Sequence, residues 1–332
     1  MINFKKLKKT FIIAEIGNNH EGSFDTACKL IREAKNAGVD AVKFQTYETN
    51  NYVSQIDPKR FKRLKKFELT KENFYKLSLL AKKFNLKFIS TPFDINSAVF
   101  LNKIVDCFKI SSGDNNYYQL IKKVLNFKKN TIISTGLLDY KEIINLYKLI
   151  KKIRFDTEKI AFLYCVSSYP VKEKDANLLS ISFLKKKLPL TIGYSDHTQG
   201  SQASIAASVI GAKIIEKHFT LNNHYSNFRD HQLSLNPNDM KSLVKSIRSI
   251  ESMMGIEGKT LQADEKKNIS SMRRSLYSSK ILTRNSILIS EDIRIVRPFV
   301  SLGPSDIKRV VGKKIKKNIN INRPIFLTNL KK

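Results

Sequence analysis

Tryptophan is absent from the 332 residues, and cysteine occurs only at Cys28, Cys107 and Cys165. The three form no CxxC pair, and any disulfide scheme leaves one over. This excludes a disulfide-stapled scaffold and predicts reduced thiols in a cytoplasmic protein. Long apolar runs are also missing: nothing approaches the roughly 18 residues a membrane span needs, so no membrane partner is expected. The N-terminal "MINFKKLKKTFIIAEIG" starts basic and turns apolar, but the apolar stretch is short, meets Glu15 and lacks a small-residue cleavage site. It does not read as a secretory signal. Neither GxGxxG nor GxxxxGK[ST] occurs, so the usual nucleotide signature of a doubly wound open sheet is missing.

Acidic residues are scarce, 29 against 60 lysines and arginines, and the formal charge is +31. Alone, that balance suggests a polyanionic partner. Only 13 of the basic residues are arginine, however, and the lysines are spread over nearly every surface helix, as in "LIKKVLNFKKN" and "YKLIKKIRF". A lysine-rich composition accounts for this without nucleic acid, which would call for clustered arginine and exposed aromatics. No nucleic-acid partner is expected, and the positive field would steer a small phosphorylated anion equally well.

What the sequence does have is alternation. Short apolar runs at 11–17, 39–45, 86–91, 107–112, 131–136, 160–165, 190–195 and 212–218 read as strands, separated by helix-length segments with apolar spacing of three and four. Gly38 sits where the first helix should end, and "PNDMKSLVKSIRSIESMMG" makes a last long helix between Pro237 and Gly255. Eight strand–helix units over residues 1–255 predict an α/β fold, a (β/α)8 TIM barrel; the near-continuous apolar strands fit a parallel sheet buried on both faces. Residues 256–269, "IEGKTLQADEKKNI" and its neighbours, read as a charged linker. Residues 270–332 have short β-like runs and frequent turn residues, and are expected to form a small all-β module.

Polar residues fall at the carboxyl ends of these strands: Glu15, Lys43, Gln45, Thr91, Lys109, Ser112, Ser134, Ser195, His197 and His218. In a parallel barrel those ends converge on the rim that carries the chemistry. An inward lysine flanked by apolar residues, as in "AVKFQ" and "CFKIS", is costly unless it meets an anion. With the serines, Lys43 and Lys109 could cradle a phosphate and a carboxylate. Four of the five histidines, His197, His218, His224 and His231, lie within one short stretch. His197 in "GYSDHTQG" and His218 in "AKIIEKHF" end neighbouring strands and could hold Mn²⁺, Zn²⁺, Fe²⁺ or Co²⁺ with positions open for substrate. His20, in the loop after the first strand, would brace the site.

The ordered segments "FIIAEIGNNHEGSFDTACKLIREAKNAGVDAVKFQTY", "ISTPFD", "FKISSGD", "IISTG", "IGYSDHT" and "EKHFT" resemble the sialic acid (N-acetylneuraminate) synthase family. "IRIVRPFVSLGPSDI" resembles the core of that family's C-terminal antifreeze-like (SAF) domain. The resemblance implies a condensation of phosphoenolpyruvate with an N-acetylated hexose such as N-acetylmannosamine, giving a nine-carbon 2-keto sugar acid and phosphate. It implies a divalent metal, usually Mn²⁺ with Mg²⁺ or Co²⁺ as alternatives, on His197 and His218. Lys43, Gln45, Lys109, Ser112, Ser134 and Ser195 would hold phosphoenolpyruvate, while Glu15, Asp114, Tyr169 and Asp230 would face the sugar. Arg297 from a second subunit would contact the N-acetyl group, which implies a domain-swapped homodimer.

The sequence departs from the family pattern at three places. Asp114 replaces the usual glutamate after "SG", "FRDH" with Phe228 and Arg229 replaces "Gly-Pro-Asp-His", and Ser167 stands where Asn or Thr is common. All three would lie against the sugar, so the acceptor could instead be a diacetamido-trideoxyhexose leading to legionaminic or pseudaminic acid. A 3-deoxy-octulosonate phosphate synthase is the nearest other enzyme, and residues 270–332 argue against it.

Overall fold

The computed structural model describes residues 2–331. Eight parallel strands close into a barrel in sequence order: β1 Phe11–Gly17, β2 Ala41–Thr46, β3 Lys87–Pro92, β4 Cys107–Ile110, β5 Asn130–Ser134, β6 Ile160–Tyr164, β7 Thr191–Asp196 and β8 Ile214–His218. The architecture is the expected TIM barrel. The first helix, Phe24–Ala37, ends at Gly38 in the left-handed region, whose N–H donates to Ala34 and Lys35 carbonyls. A Cβ would be strained at that φ. The last long helix spans Pro237–Met254.

Successive residues of each strand face opposite ways, and the sequence uses the two faces differently. Outward residues such as Ile12, Ala14, Val42, Phe44, Phe108, Phe162, Tyr194 and Ile215 pack against the helices in one large apolar cluster. Inward residues Phe11, Ile13, Ala41, Ile89, Cys107, Ile132, Ala161, Leu163 and Ile214 fill the lower half of the barrel, together with Ile2 and Phe4. One pleat further along, the inward positions become Glu15, Lys43, Lys109, Ser134, Ser195 and Glu216. An apolar floor therefore carries a charged layer at the carboxyl ends of the strands.

Three local differences from the expected elements have physical reasons. β4 stops at Ile110, and Ser112–Asp114 forms a 3₁₀ turn in which Ser111 Oγ donates to the Asp114 carboxylate. A helix, Ala263–Met272, with a capping box between Gln262 and Glu265, begins in the segment read as a linker and runs into the start of the module expected to be all-β. None of the helix's residues is buried, so it has no apolar stripe to betray it. A short helix at Arg229–Leu233 follows β8.

The chain divides into two compact units, Met1–Gly255 and Ile256–Lys332. The second holds an antiparallel pair, β9 Ser275–Ser278 and β10 Ile293–Val296, over a core that includes Leu276, Leu282, Leu288, Val310, Ile315 and Ile325. All three cysteines are free. Among the described residues no helix is long and apolar enough to cross a membrane.

Candidate active site

The charged layer at the barrel mouth is a four-group ion cluster. Lys43 Nζ lies 2.7 Å from Glu15 Oε2 and 3.7 Å from Glu216 Oε1. Lys109 Nζ lies 2.8 and 3.1 Å from the two Glu216 oxygens, and Ser195 Oγ donates to the same carboxylate at 3.0 Å. These residues come from β1, β2, β4, β7 and β8, and all are buried. Burial raises the Glu15 carboxyl above its ordinary range, with Lys43 opposing. For Glu216 burial pushes the same way, but the lysines outweigh it and the carboxyl is held low. Burial favours a neutral Lys43, yet its two carboxylate partners outweigh that and raise it; for Lys109 burial wins and lowers it.

Glu216 is the residue that sequence reasoning passed over. Its signal was the alternation in "IIEKH", which puts Glu216 and His218 on one face of β8 and Lys217 on the other.

Around this cluster lie hydroxyls with nothing to bond. Thr91 Oγ1, Ser134 Oγ and Ser167 Oγ are buried without a partner, an uncommon condition that suits an incoming anion. Ser112 Oγ sits 3.0 Å from Cys165 Sγ. Asn115 Nδ2 donates to the carbonyls of Ser134 and Gly136, fixing the end of β5 against the turn after β4. Gln45 donates to Glu15 at 3.4 Å and accepts from Asn18 at 3.0 Å.

The two histidines meet from neighbouring strands, with ring centroids 5.5 Å apart, and Tyr169 packs against both, tilted on His197 at 4.3 Å and edge-on to His218 at 6.0 Å. His197 Nδ1 is 2.9 Å from the Val166 carbonyl, which leaves Nε2 free to ligate. His218 Nδ1 is buried with no partner. Burial holds both rings neutral, His197 down to about 4 and His218 well below its ordinary value. Two neutral imidazoles with an unpartnered ring nitrogen suit a divalent cation, although no group of three His, Cys, Asp or Glu converges there among the described residues. His20 turns instead into the loop after β1, accepting from the Gly22 N–H at 3.0 Å, and is held down to about 4 by burial.

Above the cluster opens a cavity of about 830 Å³. Asp114, Tyr169, His218 and Asp230 line it, as do Ser112 and Gln45, whereas Glu15, Lys43, Lys109, Ser134, Ser195 and His197 are not among its lining residues. Asp114 and Asp230 are both raised by burial; Arg229, 3.3 Å from Asp230 and 4.6 Å over the Tyr169 ring, opposes the second. Tyr52, Leu64, Phe93 and Phe228 give the same cavity an apolar wall. Arg297 belongs to the other compact unit, where it is exposed and its Nε donates to the Met272 carbonyl at 2.6 Å.

This arrangement has relatives. Residues 30–259 match the NeuB family. The chain is 36% identical to the N,N'-diacetyllegionaminic acid synthase of Campylobacter jejuni, over 94% of this chain and 97% of that one. It is 34% identical to a pseudaminic acid synthase of the same species, over 96% and 95%. The crystal structure of the N-acetylneuraminic acid (sialic acid) synthetase of Leptospira borgpetersenii with citrate matches at a TM-score of 0.74 and 34% identity, over 79% of this chain and 90% of that one. With a barrel rim of this composition and likeness across nearly its whole length, the chain belongs to the NeuB family of phosphoenolpyruvate-dependent condensing synthases.

Proposed function

We propose that the protein condenses phosphoenolpyruvate with the open-chain aldehyde of an N-acetylated hexose, releasing phosphate and a nine-carbon 2-keto sugar acid. The observation that carries this reading is the buried layer of Lys43 and Lys109 on the inward face of the barrel strands, with the unpartnered Thr91 and Ser134 hydroxyls on the same face and a sugar-sized cavity lined by Gln45, Ser112, Ser167 and His218. The two ammonium groups are paired with Glu15 and Glu216, and a small polyanion is the ligand that could share or take over those pairings.

In this reading Lys43, Lys109, Gln45, Ser112, Ser134 and Ser195 hold the phosphate and carboxylate. His197 and His218 would hold a divalent metal, Mn²⁺ or else Mg²⁺ or Co²⁺, which supplies Lewis acidity for the aldehyde oxygen. Carbon 3 of phosphoenolpyruvate attacks the aldehyde carbon, whose oxygen takes a proton from solvent water in the open cavity. Water adds to the cation left at carbon 2, and Glu15, whose carboxyl is raised by burial, takes the proton that water loses. Cleavage of the bond from carbon 2 to the phosphate oxygen then leaves the ketone and inorganic phosphate, the carbon-2 hydroxyl proton passing to the departing phosphate oxygen and the lysines neutralising the leaving group. Asp114, Tyr169 and Asp230 orient the sugar.

The apolar wall of Tyr52, Leu64, Phe93 and Phe228 favours an acceptor with a deoxygenated, methyl-bearing end over one with a hydroxymethyl group. We therefore place the diacetamido-trideoxyhexoses of legionaminic and pseudaminic acid ahead of N-acetylmannosamine. Phosphate release with Mn²⁺ across a panel of these sugars tests both levels. Preferential turnover of N-acetylmannosamine would reverse the sugar assignment, and no release with any of them would overturn the reaction.

The second unit we read as an antifreeze-like domain that delivers Arg297 to the sugar site of another copy in a homodimer. Mixed dimers of the His218→Ala and Arg297→Ala chains should then recover activity that neither has alone; no recovery would refute action between subunits.

A further inference from the structure

Behind the two histidines, on the outer face of the barrel, lies a second buried ion pair. Asp196 and Lys217 are register partners across β7 and β8, and His197 and His218 are the residues that follow them in sequence. Both charged side chains are completely buried, with Lys217 Nζ 3.1 Å from Asp196 Oδ2. The carboxylate is fully engaged. Oδ1 accepts from the Thr198 N–H and the Thr198 hydroxyl, each at 2.8 Å, and from the Tyr194 hydroxyl at 3.4 Å. Oδ2 also accepts from Ser204 Oγ at 2.6 Å, on the helix Gln202–Val209. Lys217 in turn donates to the Thr198 carbonyl.

Thr198 is thus gripped at its N–H, hydroxyl and carbonyl, immediately after His197. The backbone that aims His197 is tied to the strand that aims His218, and the tie consists of charge-assisted hydrogen bonds in a dry environment. A barrel needs no such pair for packing: apolar residues of similar size usually serve as well or better. We propose that Asp196 and Lys217 are positioning residues that set the spacing and orientation of His197 and His218 for divalent metal binding. The inference rests on the metal reading proposed above.

The probe is Mn²⁺ alone, titrated into metal-free protein with free ion followed by electron paramagnetic resonance, and thermal unfolding recorded on each metal-free variant. The double variant Asp196→Asn/Lys217→Met removes both charges together. It is expected to bind Mn²⁺ about 10- to 100-fold more weakly, the loss usual when the groups supporting metal ligands are removed. Ser204→Ala, which deletes one hydrogen bond to Asp196, should weaken binding in the same direction by a smaller factor and keeps the test open if the double variant does not fold.

Asp40→Asn is the control. Asp40 pairs with Arg248 at 2.9 Å before β2, at the amino end of the barrel. Its loss should lower the unfolding temperature and leave Mn²⁺ affinity unchanged, which separates positioning from general stability. Folded Asp196 or Ser204 variants with wild-type Mn²⁺ affinity would overturn this inference while leaving the proposed reaction standing. A wild-type protein that binds no Mn²⁺ would overturn the metal reading and this inference with it.

Discussion

Glu216→Gln is the most revealing single change at the barrel mouth, because it alters one charge and almost no volume. The cluster as built is balanced: Lys43 and Lys109 against Glu15 and Glu216, all with side chains no more than 5% exposed. Lys43 keeps Glu15 at 2.7 Å after the change, but Lys109 loses its carboxylate partner at 2.8 Å. Removing one partner of a buried pair costs about 3–5 kcal/mol. For a unit of this size each kcal/mol lowers the unfolding temperature by about 2–4 °C, so the expected loss is about 6 to 20 °C.

The deficit should narrow as pH rises toward the ordinary lysine range. Lys109 is already lowered by burial and, without Glu216, sheds its proton in the folded state before the unfolded chain does, so stability rises with pH there. Inorganic phosphate should raise the unfolding temperature more in the variant than in the wild type, since an anion then replaces the missing carboxylate. Circular dichroism melts with and without phosphate measure all three effects. A loss under about 2 °C with no extra response to phosphate would refute the assignment of this cluster as an anion-binding charge centre.

Acid should destabilise the protein through its buried imidazoles. His20 and His197 are held down to about 4 by burial, below their unfolded values, so between about pH 6.5 and pH 4 only the unfolded chain takes up the proton. Each should then cost about 1.4 kcal/mol of stability per pH unit in that window and nothing above it, as read from denaturant unfolding; a flat profile would contradict their burial. At Gly136 an added Cβ would lie 2.4 Å from Ser167 Oγ, 2.7 Å from Ser112 Oγ and 2.8 Å from Cys165 Sγ. Gly136→Ala should therefore push the hydroxyls aside at a cost of about 1–3 kcal/mol and raise KM for phosphoenolpyruvate at least about tenfold, measured by steady-state phosphate release. Ile132→Ala, in the apolar floor, should cost about 2–5 kcal/mol in unfolding while leaving KM unchanged.

Much of the fold was legible because barrel strands and their helices write different periods into the chain. The runs 11–17, 39–45 and 212–218 were recognisable as strands, and the polar Glu15, Lys43 and His218 near their ends as one rim, because burying such groups elsewhere is too costly. The helix Ala263–Met272 was not, since a helix with no buried face has no periodic signal. Local pattern also determined that Glu216 and His218 share a face of their strand, with Lys217 on the opposite one.

Which charges meet was decided by tertiary structure alone. Lys109 and Glu216 are 107 residues apart, and only closure of the barrel puts β4 and β8 across one lumen. The same closure left Thr91, Ser134 and Ser167 without partners and set the two imidazoles 5.5 Å apart. Hydrophobic periodicity is a property of neighbours along the chain. The pairing of buried charges depends on distances across the fold, which no local pattern encodes.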